Sequence, residues 1–552
     1  MKDESTSLVL AIALSFIAIY TVNFFFKNNN IIENVNTEQA VIIEENKITE
    51  AIAAKVYENT EDALKEDKRV SFKNSAISGT IRLKGSRFDN VLLEKYTTTI
   101  DENSPKVELF TPQTTKNNYF AELGWLSLDK SIKLPNSFDE WEANGETLTP
   151  NNPIELVWNN NGIKIVRKIS IDDDYLFTIT DRVENNTSTE LELFPYALIS
   201  RNIGEAASSR SVVHEGISGI VDGNLKEIKY NKIDKLDSET FDTKSGWFGF
   251  SDRYWFSALI MNGKEKSKVT VKNNDNGNYQ LDYLGNRYNI ESGKHFEHSY
   301  KLYSGAKEIK LLDKYTKDGI KKFDLAVDFG WYYFLTKPFF YILDFLYSFL
   351  GNMGWAILLF AAFLRFLMFP VANKSYVNMA KMKGLQPKIA DIREKYGDNQ
   401  MLIQQATMEL YKKEKINPAS GCLPMFIQVP VFFSLYKVLN IAIEIRHAPF
   451  IGWIKDLSAP DPLTISEMTG FYIPQFLNIG LWPMLMGATM FIQQKLNPAP
   501  TNKDQAKIFT FMPIFFTFMM GHFASGLIIY WTLSNILSIV QQKAIMHKNG
   551  VK

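Results

Sequence analysis

The most constraining feature of this chain is an apolar run near its middle that carries one positive charge. Residues 352–372 are long enough to cross a bilayer as a helix, which takes about 20 mostly apolar residues, and Arg365 is their one charged side chain. An arginine at mid-helix costs about 2.5–3.5 kcal/mol on insertion scales. Either Arg365 snorkels to the polar exit at Asn373, or it faces a hydrated cavity in a helix bundle and has a function there.

The segment that follows favours the hydrated cavity. Residues 374–417 are polar and basic, and the Gly397-Asp398-Asn399 sequence interrupts them as a turn between two helices would. Apolar residues recur at helical spacing in both halves. We therefore predict a helical hairpin of two short helices over residues 373–417, on the charged side of a membrane.

Composition excludes several classes of protein. A chain of 552 residues is too long for one ordinary domain, and its 61 basic and 61 acidic residues cancel, so nothing attracts nucleic acid globally. The single cysteine, Cys422, excludes an internal disulfide and a cysteine-based metal cluster. No carboxylate pair, metal-ligand cluster or nucleophile–base set stands out. We predict no enzymatic activity, no metal, no cofactor and no small-molecule substrate.

The N-terminal half predicts an anchor, a tether and a β domain. Residues 8–26 are apolar and end in three phenylalanines, which do not suit signal peptidase, so residues 1–27 are predicted to be an uncleaved transmembrane anchor. A polar tether follows over residues 28–69. Residues 70–325 alternate apolar and polar side chains between Asn, Gly, Asp and Pro clusters, which predicts a large all-β sandwich of short antiparallel strands.

The tryptophans of the β domain have two possible roles, in a sugar-binding cleft or in the core. Such sandwiches often bind sugars, and aromatic side chains can line a cleft, but core packing is the more common use of tryptophan in this architecture. The residues concerned are Trp125, Trp141, Trp158, Trp247 and Trp255.

The C-terminal half predicts a polytopic α-helical membrane domain. Aromatic residues crowd residues 330–350 around charged side chains, which indicates an amphipathic helix at the membrane surface. With the N-terminal anchor there are six predicted spans, five of which form the core. The five lie at 352–372, 420–441, 477–496, 507–523 and 525–544. As domains, these are transmembrane segment 2 over 351–372, segments 3 to 6 over 418–545, and a tail over 546–552.

Loop charges predict the orientation of the chain. Residues 374–417 carry nine Lys or Arg against five acids, whereas the loop over 443–475 carries four acids and fewer basic residues. Because positive loops stay in the cytoplasm, both termini and the hairpin are predicted to be cytoplasmic and the β domain to lie on the outer side of the membrane.

Several motifs resemble the YidC-type insertases of Gram-negative bacteria, within the YidC/Oxa/Alb family. In the β domain, GTIRLKG and TKNNYFAELGW match. In the helical region the matches are Arg365 followed by Phe369-Pro370, MAKMKGLQPKI, YKKEKINPASGCLPMFIQVPVF, APFIGWIKDLSAPDPL and SGLIIYWTLSNILSIVQQ. The resemblance covers essentially the whole chain. It implies a membrane protein insertase and chaperone of the bacterial inner membrane, with the β domain in the periplasm. By the same resemblance, its last five spans surround a hydrophilic groove that is open to cytoplasm and lipid and closed toward the periplasm.

The same resemblance assigns residues to the groove and to partners. It makes Arg365 the positive charge of the groove and Gln428 a polar wall residue. Tyr530 and Trp531 match positions that contact the incoming helix, and Ser534 and Ser538 share that face. Nascent membrane proteins, the Sec translocon and the lipid bilayer are the implied partners. A ribosome or targeting receptor is expected to contact the hairpin at Lys412, Lys413, Lys415 and Asp398.

Some positions depart from the family pattern, and alternatives remain open. Ala361 stands where some members carry a hydroxyl one turn before the arginine, and Ala524 stands where many carry proline. Lys437 has no assigned role, and Gln428 is equally a simple helix–helix hydrogen bond, worth about 0.6 kcal/mol on average. The alternative function is a secondary transporter, although repeated halves and matching broken helices are not seen.

Overall fold

A computed structural model describes residues 56–204, 213–236, 238–261, 266–274, 277–397, 399–417, 423–498 and 503–550, all within the unit Val56–Lys552. The predicted anchor, most of the predicted tether, Asp398 and Cys422 lie outside these residues.

The β domain consists of two sheets. Within the described residues, eleven strands form one sheet in the order β14-β17-β18-β11-β5-β3-β2-β1-β7, with β19 beside β11 and β4 beside β3, and nine form the other in the order β13-β12-β15-β16-β20-β10-β9-β8-β6. The strands are β1 Arg69–Lys73, β2 Ile77–Arg82, β3 Arg87–Thr97, β4 Lys106–Phe110, β5 Tyr119–Leu126, β6 Glu142–Asn144, β7 Thr147–Leu148, β8 Ile154–Asn160, β9 Ile163–Ile171, β10 Leu176–Asn185, β11 Leu191–Asn202, β12 Gly216–Val221, β13 Asn224–Lys229, β14 Ser238–Thr243, β15 Gly246–Ser251, β16 Trp255–Met261, β17 Ser267–Asn273, β18 Asn278–Leu284, β19 Tyr288–Ile290 and β20 His295–Ala306. Adjacent strands are antiparallel except β1 and β7.

Period-two alternation produces the core of this sandwich. Along β9, every second side chain from Ile163 to Ile171 is buried, because successive side chains point to opposite faces of a strand. One buried position holds Arg167, which pairs with Asp181 of β10 at 2.7 Å. Trp125 of the opposite sheet donates from Nε1 to the same carboxylate at 2.9 Å, so this pair also joins the two sheets. Both carboxylate oxygens of Asp181 are thus hydrogen-bonded, as a buried charge requires, whereas Arg167 Nη1 has no hydrogen-bond partner among the described residues.

The prediction that the tryptophans pack in the core is confirmed. Trp125, Trp141, Trp158 and Trp247 are buried, and Trp255 is half-buried against Tyr96. The expected two-sheet sandwich of antiparallel strands is confirmed as well.

The helices of the described residues are mostly in the C-terminal half. They are α1 Thr60–Leu64, α2 Tyr230–Leu236, α3 Ile309–Lys317, α4 Tyr333–Leu350, α5 Met353–Leu367, α6 Phe369–Gly384, α7 Gln386–Tyr396, α8 Gln400–Lys413, α9 Leu423–Ile441, α10 Ile465–Thr469, α11 Leu481–Leu496, α12 Lys503–Met520 and α13 Ser525–Lys548. The predicted surface helix corresponds to α4, whose Phe339 and Phe340 are buried while Phe345 and Phe349 are exposed.

The predicted span over 352–372 is not one straight helix. It ends at Leu367, and α6 leaves Met368 at an angle of 66°. Pro370 explains the break, because proline lacks the N–H for the helical bond and its ring clashes with the carbonyl four residues earlier. Pro387 similarly separates α6 from α7, so α6, α7 and α8 together make up the region predicted as a hairpin of two helices.

The number of membrane spans stays a prediction when the helices are compared by length and hydropathy. Within the described residues, no helix alone has both the length and the apolar character to cross a membrane, while α5 and α6 meet that test as a bent pair. Shorter apolar stretches lie at Phe426–Ile441 of α9 and Lys507–Met520 of α12.

Polar contacts join the β domain to the helical region. Lys437 of α9, which had no assigned role, pairs at 2.6 Å with Asp328 in the segment that follows the β domain. Asp328 in turn accepts the N–H of His214 of the β domain at 2.9 Å. Arg446 donates from Nη2 to the carbonyl oxygen of Thr97 at 2.7 Å, beyond the C-terminal end of α9. These contacts fix that end of α9 as the end nearest the β domain.

A buried carboxyl group belongs to the same junction. Glu444 Oε1 accepts a hydrogen bond from the backbone N–H of Ile309, the first residue of α3, at 3.2 Å. Burial raises the pKa of Glu444 to about 7, because a charged carboxylate loses its hydration there.

Candidate functional site

The charged side chain of the central apolar run lies near the end of α5. Asn352 caps this helix by accepting the N–H of Trp355 at 3.2 Å, and the apolar sequence continues it to Leu367. Arg365 therefore falls in the last turn, where the carbonyl end of the helix dipole favours a cation. Its side chain is half-buried.

The partner of Arg365 is α13. Both hydroxyls predicted to share a face of this helix bind the guanidinium: Nη2 donates to the Ser534 carbonyl at 2.8 Å, to Ser534 Oγ at 2.9 Å and to Ser538 Oγ. Ser538 Oγ in turn donates to the Ser534 carbonyl at 2.7 Å. The two serines are 6% and 1% exposed, so the charge is drawn to the buried face of α13 and not to the polar exit at Asn373.

The geometry leaves part of the guanidinium open. All bonds that the described residues make to Arg365 come from Nη2, although a guanidinium carries five N–H donors. The open donors are therefore those of Nε and Nη1. Because both two-donor edges of a guanidinium include Nη2, Nε and Nη1 point to opposite edges, and each can donate one charge-assisted N–H···O bond to a carboxylate.

The other predicted groove residues form a second contact. Gln428 of α9 donates from Nε2 to Tyr530 Oη at 2.9 Å, and Tyr530 is 2% exposed. Trp531 is half-buried and packs edge-on against Phe432 at 4.6 Å between ring centroids. The structure therefore brings Arg365 together with two serines and Gln428 together with Tyr530, while Trp531 belongs to an aromatic cluster between helices.

Two polar contacts on α13 were missed from the sequence. Asn535 Nδ2 donates to Thr489 Oγ1 of α11 at 3.1 Å, and Gln542 Nε2 donates to Asn497 Oδ1 at 3.1 Å. The available signal was the recurrence of polar residues every three or four positions within an otherwise apolar helix. Because an unpaired polar group in an apolar interior is costly, a stripe of this kind indicates contacts with several neighbouring helices.

The proposed cytoplasmic contact residues lie at one end of α8. Lys412, Lys413 and Lys415 are exposed, and Tyr411 and Ile416 beside them pack with Leu385 and Ile389. Asp398 lies outside the described residues, between α7 and α8. Within the described residues, no group of three or more His, Cys, Asp or Glu side chains is placed to hold a metal ion.

Comparisons with known proteins match almost the whole chain. A family model described as the 60 kDa inner membrane protein matches residues 345–551, and one described as the YidC periplasmic domain matches residues 69–342. A relative from Rickettsia bellii named membrane protein insertase YidC is 42% identical, covering 98% of this chain and 99% of its own.

A second relative and a crystal structure with YidC in their names are also similar to this chain. A relative from Methylobacterium radiotolerans with the same name is 46% identical, over 89% of this chain and 82% of its own. A crystal structure of an active YidC insertase with its first transmembrane domain resolved is 17% identical, covers 88% of this chain and 93% of its own, and has a TM-score of 0.36.

Proposed function

This chain belongs to the YidC family of membrane protein insertases, and we propose that Arg365 and α13 form the part of its groove that receives a client. It is an insertase of the inner membrane with a periplasmic domain, and its substrates are nascent membrane proteins. Its relatives are named as insertases and not as enzymes or transporters, so the alternative of a secondary transporter has no support from them.

The observation that carries this proposal is the guanidinium held between two helices through Nη2 alone, with the donors of Nε and Nη1 open. The tail of a client must leave the cytoplasm, and a carboxylate on that tail is costly to dehydrate. Arg365 lowers this cost by donating to the carboxylate from Nε or from Nη1, while Ser534 and Ser538 hold Nη2 and fix the orientation of the guanidinium. A fixed guanidinium also keeps the groove hydrated for tails without acids.

The aromatic and amide side chains form the rest of the proposed groove. Gln428 and Tyr530 provide a paired polar wall. Trp531 provides an apolar surface that adjusts its contacts with Phe432 when a client helix passes. The client slides its apolar segment along this surface into lipid while its tail passes the charge.

The proposed topology has six spans, with both termini in the cytoplasm and residues 70–325 in the periplasm. Contacts at the ends of helices support it. The end of α9 nearest the β domain leads into the acid-rich loop over 443–475, whereas α6 packs on the C-terminal part of α13 through Tyr376 and Ile545. The basic residues of 373–417 therefore belong to the opposite end of the bundle, as the charge rule requires.

We further propose that the cytoplasmic end binds the machinery that delivers clients. The exposed Lys412, Lys413 and Lys415 suit the acidic surface of a ribosome or targeting receptor. We include Asp398 in this contact, as a residue that lies between α7 and α8 in the sequence. The protein acts as an insertase and folding chaperone, alone or beside the Sec translocon.

Reconstitution tests the proposed function. The purified protein in liposomes should insert a small phage coat protein without ATP, and Arg365→Ala should reduce insertion of a client with an acidic tail. A flux of a solute that depends strictly on the protein, without client insertion, would contradict the proposal.

A further inference from the structure

A loop between α10 and α11 presents large aromatic side chains to its surroundings. This loop, residues 470–480, is called the aromatic loop below. Phe471, Tyr472 and Phe476 are 75%, 92% and 68% exposed. A contiguous exposed apolar patch marks an interaction surface more often than a single exposed side chain does.

The backbone of the aromatic loop is fixed, so these side chains are held outward. The N–H of Ile465 binds the carbonyl oxygen of Ile479 at 3.0 Å, and the N–H of Ser466 binds Asn478 Oδ1 at 3.0 Å. Ile479 is 3% exposed and packs on Gly521, where an added Cβ would lie 2.4 Å from it. The loop closes over the turn before α13 through its buried side chain and leaves its aromatic side chains outside.

The aromatic loop lies at the end of the bundle nearest the β domain. The buried carboxylate of Asp461 accepts the N–H of Trp482 at 2.7 Å and therefore caps α11 at the end where the loop enters it. The same connection meets the start of α13, where the N–H of Ser525 binds the carbonyl oxygen of Ala459 at 2.7 Å. This connection also carries Arg446, which contacts the β domain.

Charge and length argue that lipid covers the loop. Residues 468–494 contain no Asp, Glu, Lys or Arg. Helix α11 has 16 residues, which at about 1.5 Å per residue gives a length of about 24 Å, whereas the hydrocarbon core of a bilayer is about 30 Å thick. The apolar surface must therefore continue beyond the helix, and the aromatic loop is its continuation. Tyrosine and other amphipathic aromatic rings are favoured at the headgroup boundary.

We propose that the aromatic loop docks into the headgroup boundary of the membrane, with phospholipid as its occupant and Phe471, Tyr472 and Phe476 as the inserted side chains. The docked loop extends the apolar surface of α11 to the thickness of the hydrocarbon core and fixes the position of this helix along the membrane normal. The assignment to the periplasmic leaflet rests on the proposed topology, whereas the contact with lipid rests only on the loop and on α11.

Depth-dependent fluorescence quenching tests this proposal on the full-length protein. The single cysteine is removed by Cys422→Ser, and Tyr472→Cys is labelled with an environment-sensitive nitrobenzoxadiazole dye. The protein is then placed in vesicles of phosphatidylethanolamine and phosphatidylglycerol with spin labels either near the headgroup or near the end of the acyl chain. The matched control is Leu128→Cys, which is 53% exposed on the β domain. Client insertion by the labelled protein establishes that it is folded.

We expect the dye at position 472 to be quenched several-fold more strongly by the shallow spin label than the dye at position 128, with emission shifted to shorter wavelength. Equal, water-like emission at both positions would overturn the proposal and leave a client or a protein partner as the occupant. Stronger quenching by the deep label would also contradict a headgroup location.

A membrane-impermeant reductant added outside spheroplasts distinguishes this proposal from the topology. Reduction of the dye from the periplasmic side, together with shallow quenching, supports both. Shallow quenching with protection from the reductant would retain the contact with lipid and contradict the orientation.

Discussion

Replacing Arg365 is predicted to separate clients by the charge of their tails. A hydrogen bond to a charged group contributes about 1.5–3 kcal/mol, which corresponds to about 10- to 150-fold in an equilibrium. Because Ser534 and Ser538 already engage Nη2, a carboxylate of the client gains a single hydrogen bond, from Nε or from Nη1, so the low end applies. Arg365→Ala should therefore lower insertion of an acidic-tailed client by about tenfold and that of its neutral-tailed counterpart much less.

The assay uses two clients that differ only in the acids of the tail. Their insertion into vesicles is measured by protection of the translocated tail from protease, with Arg365→Lys as the matched variant that keeps a positive charge. Arg365→Lys should retain most activity toward both clients. The double variant Ser534→Ala with Ser538→Ala removes the two hydroxyl partners of Nη2 and keeps the Ser534 carbonyl and the charge, so it should retain the preference for acidic tails.

Two outcomes would refute this reasoning. If Arg365→Ala impairs both clients equally while the protein stays folded, the arginine holds α5 against α13 and does not pair with tails. If Arg365→Ala impairs neither client, the guanidinium has no part in insertion.

Three further predictions follow from charges outside the groove. Because burial raises the pKa of Glu444 to about 7, above its ordinary value of 4.5, the folded protein holds a proton that the unfolded chain releases between these two values. The free energy of unfolding should therefore fall as pH rises from about 4.5 through 7. The melting temperature should fall over this window, and Glu444→Gln should remove most of that fall. Lys437→Ala removes the ion-pair partner that lies 2.6 Å from Asp328 and should lower the local free energy of unfolding by about 1–3 kcal/mol. Hydrogen exchange around residues 325–332 should then be faster. Lys437→Arg keeps a positive charge and should leave the exchange rate unchanged. Reversing the charge of three lysines of the hairpin should weaken ribosome binding in pelleting assays, and added salt should have the same effect. The three substitutions are Lys412→Glu, Lys413→Glu and Lys415→Glu. Binding that does not depend on salt would contradict electrostatic docking.

The β domain was the part most predictable from sequence. Strict alternation along segments such as Ile163–Ile171 determines which face of a strand is buried, and the turn residues between segments determine where strands end. The pairing order of the strands was not predictable, because alternation says which face is buried and not which strand lies beside it.

The helical region was predictable in position but not in shape. The apolar run around Arg365 was expected as one helix, yet Pro370 breaks it at Met368. The proline was visible in the sequence, but its effect depends on whether neighbouring helices supply hydrogen-bond partners for the backbone groups that the proline leaves unpaired. The spacing of Ser534 and Ser538 predicted a shared face, whereas the contact of Lys437 with Asp328 joins residues 109 positions apart, and no local pattern indicates it.

Site-specific photo-crosslinking tests most directly whether α13 lines the path of the client. A photo-reactive residue in place of Trp531 should crosslink to the tail of a stalled nascent membrane protein, and Arg365→Ala should weaken this crosslink for an acidic tail. The control position is Ile536, which is 42% exposed and lies about 200° around α13 from Ser534 at about 100° per residue. We expect a crosslink to the tail at position 531 and none at position 536. Equal crosslinking at both positions, or crosslinking at position 536 alone, would contradict the proposed groove.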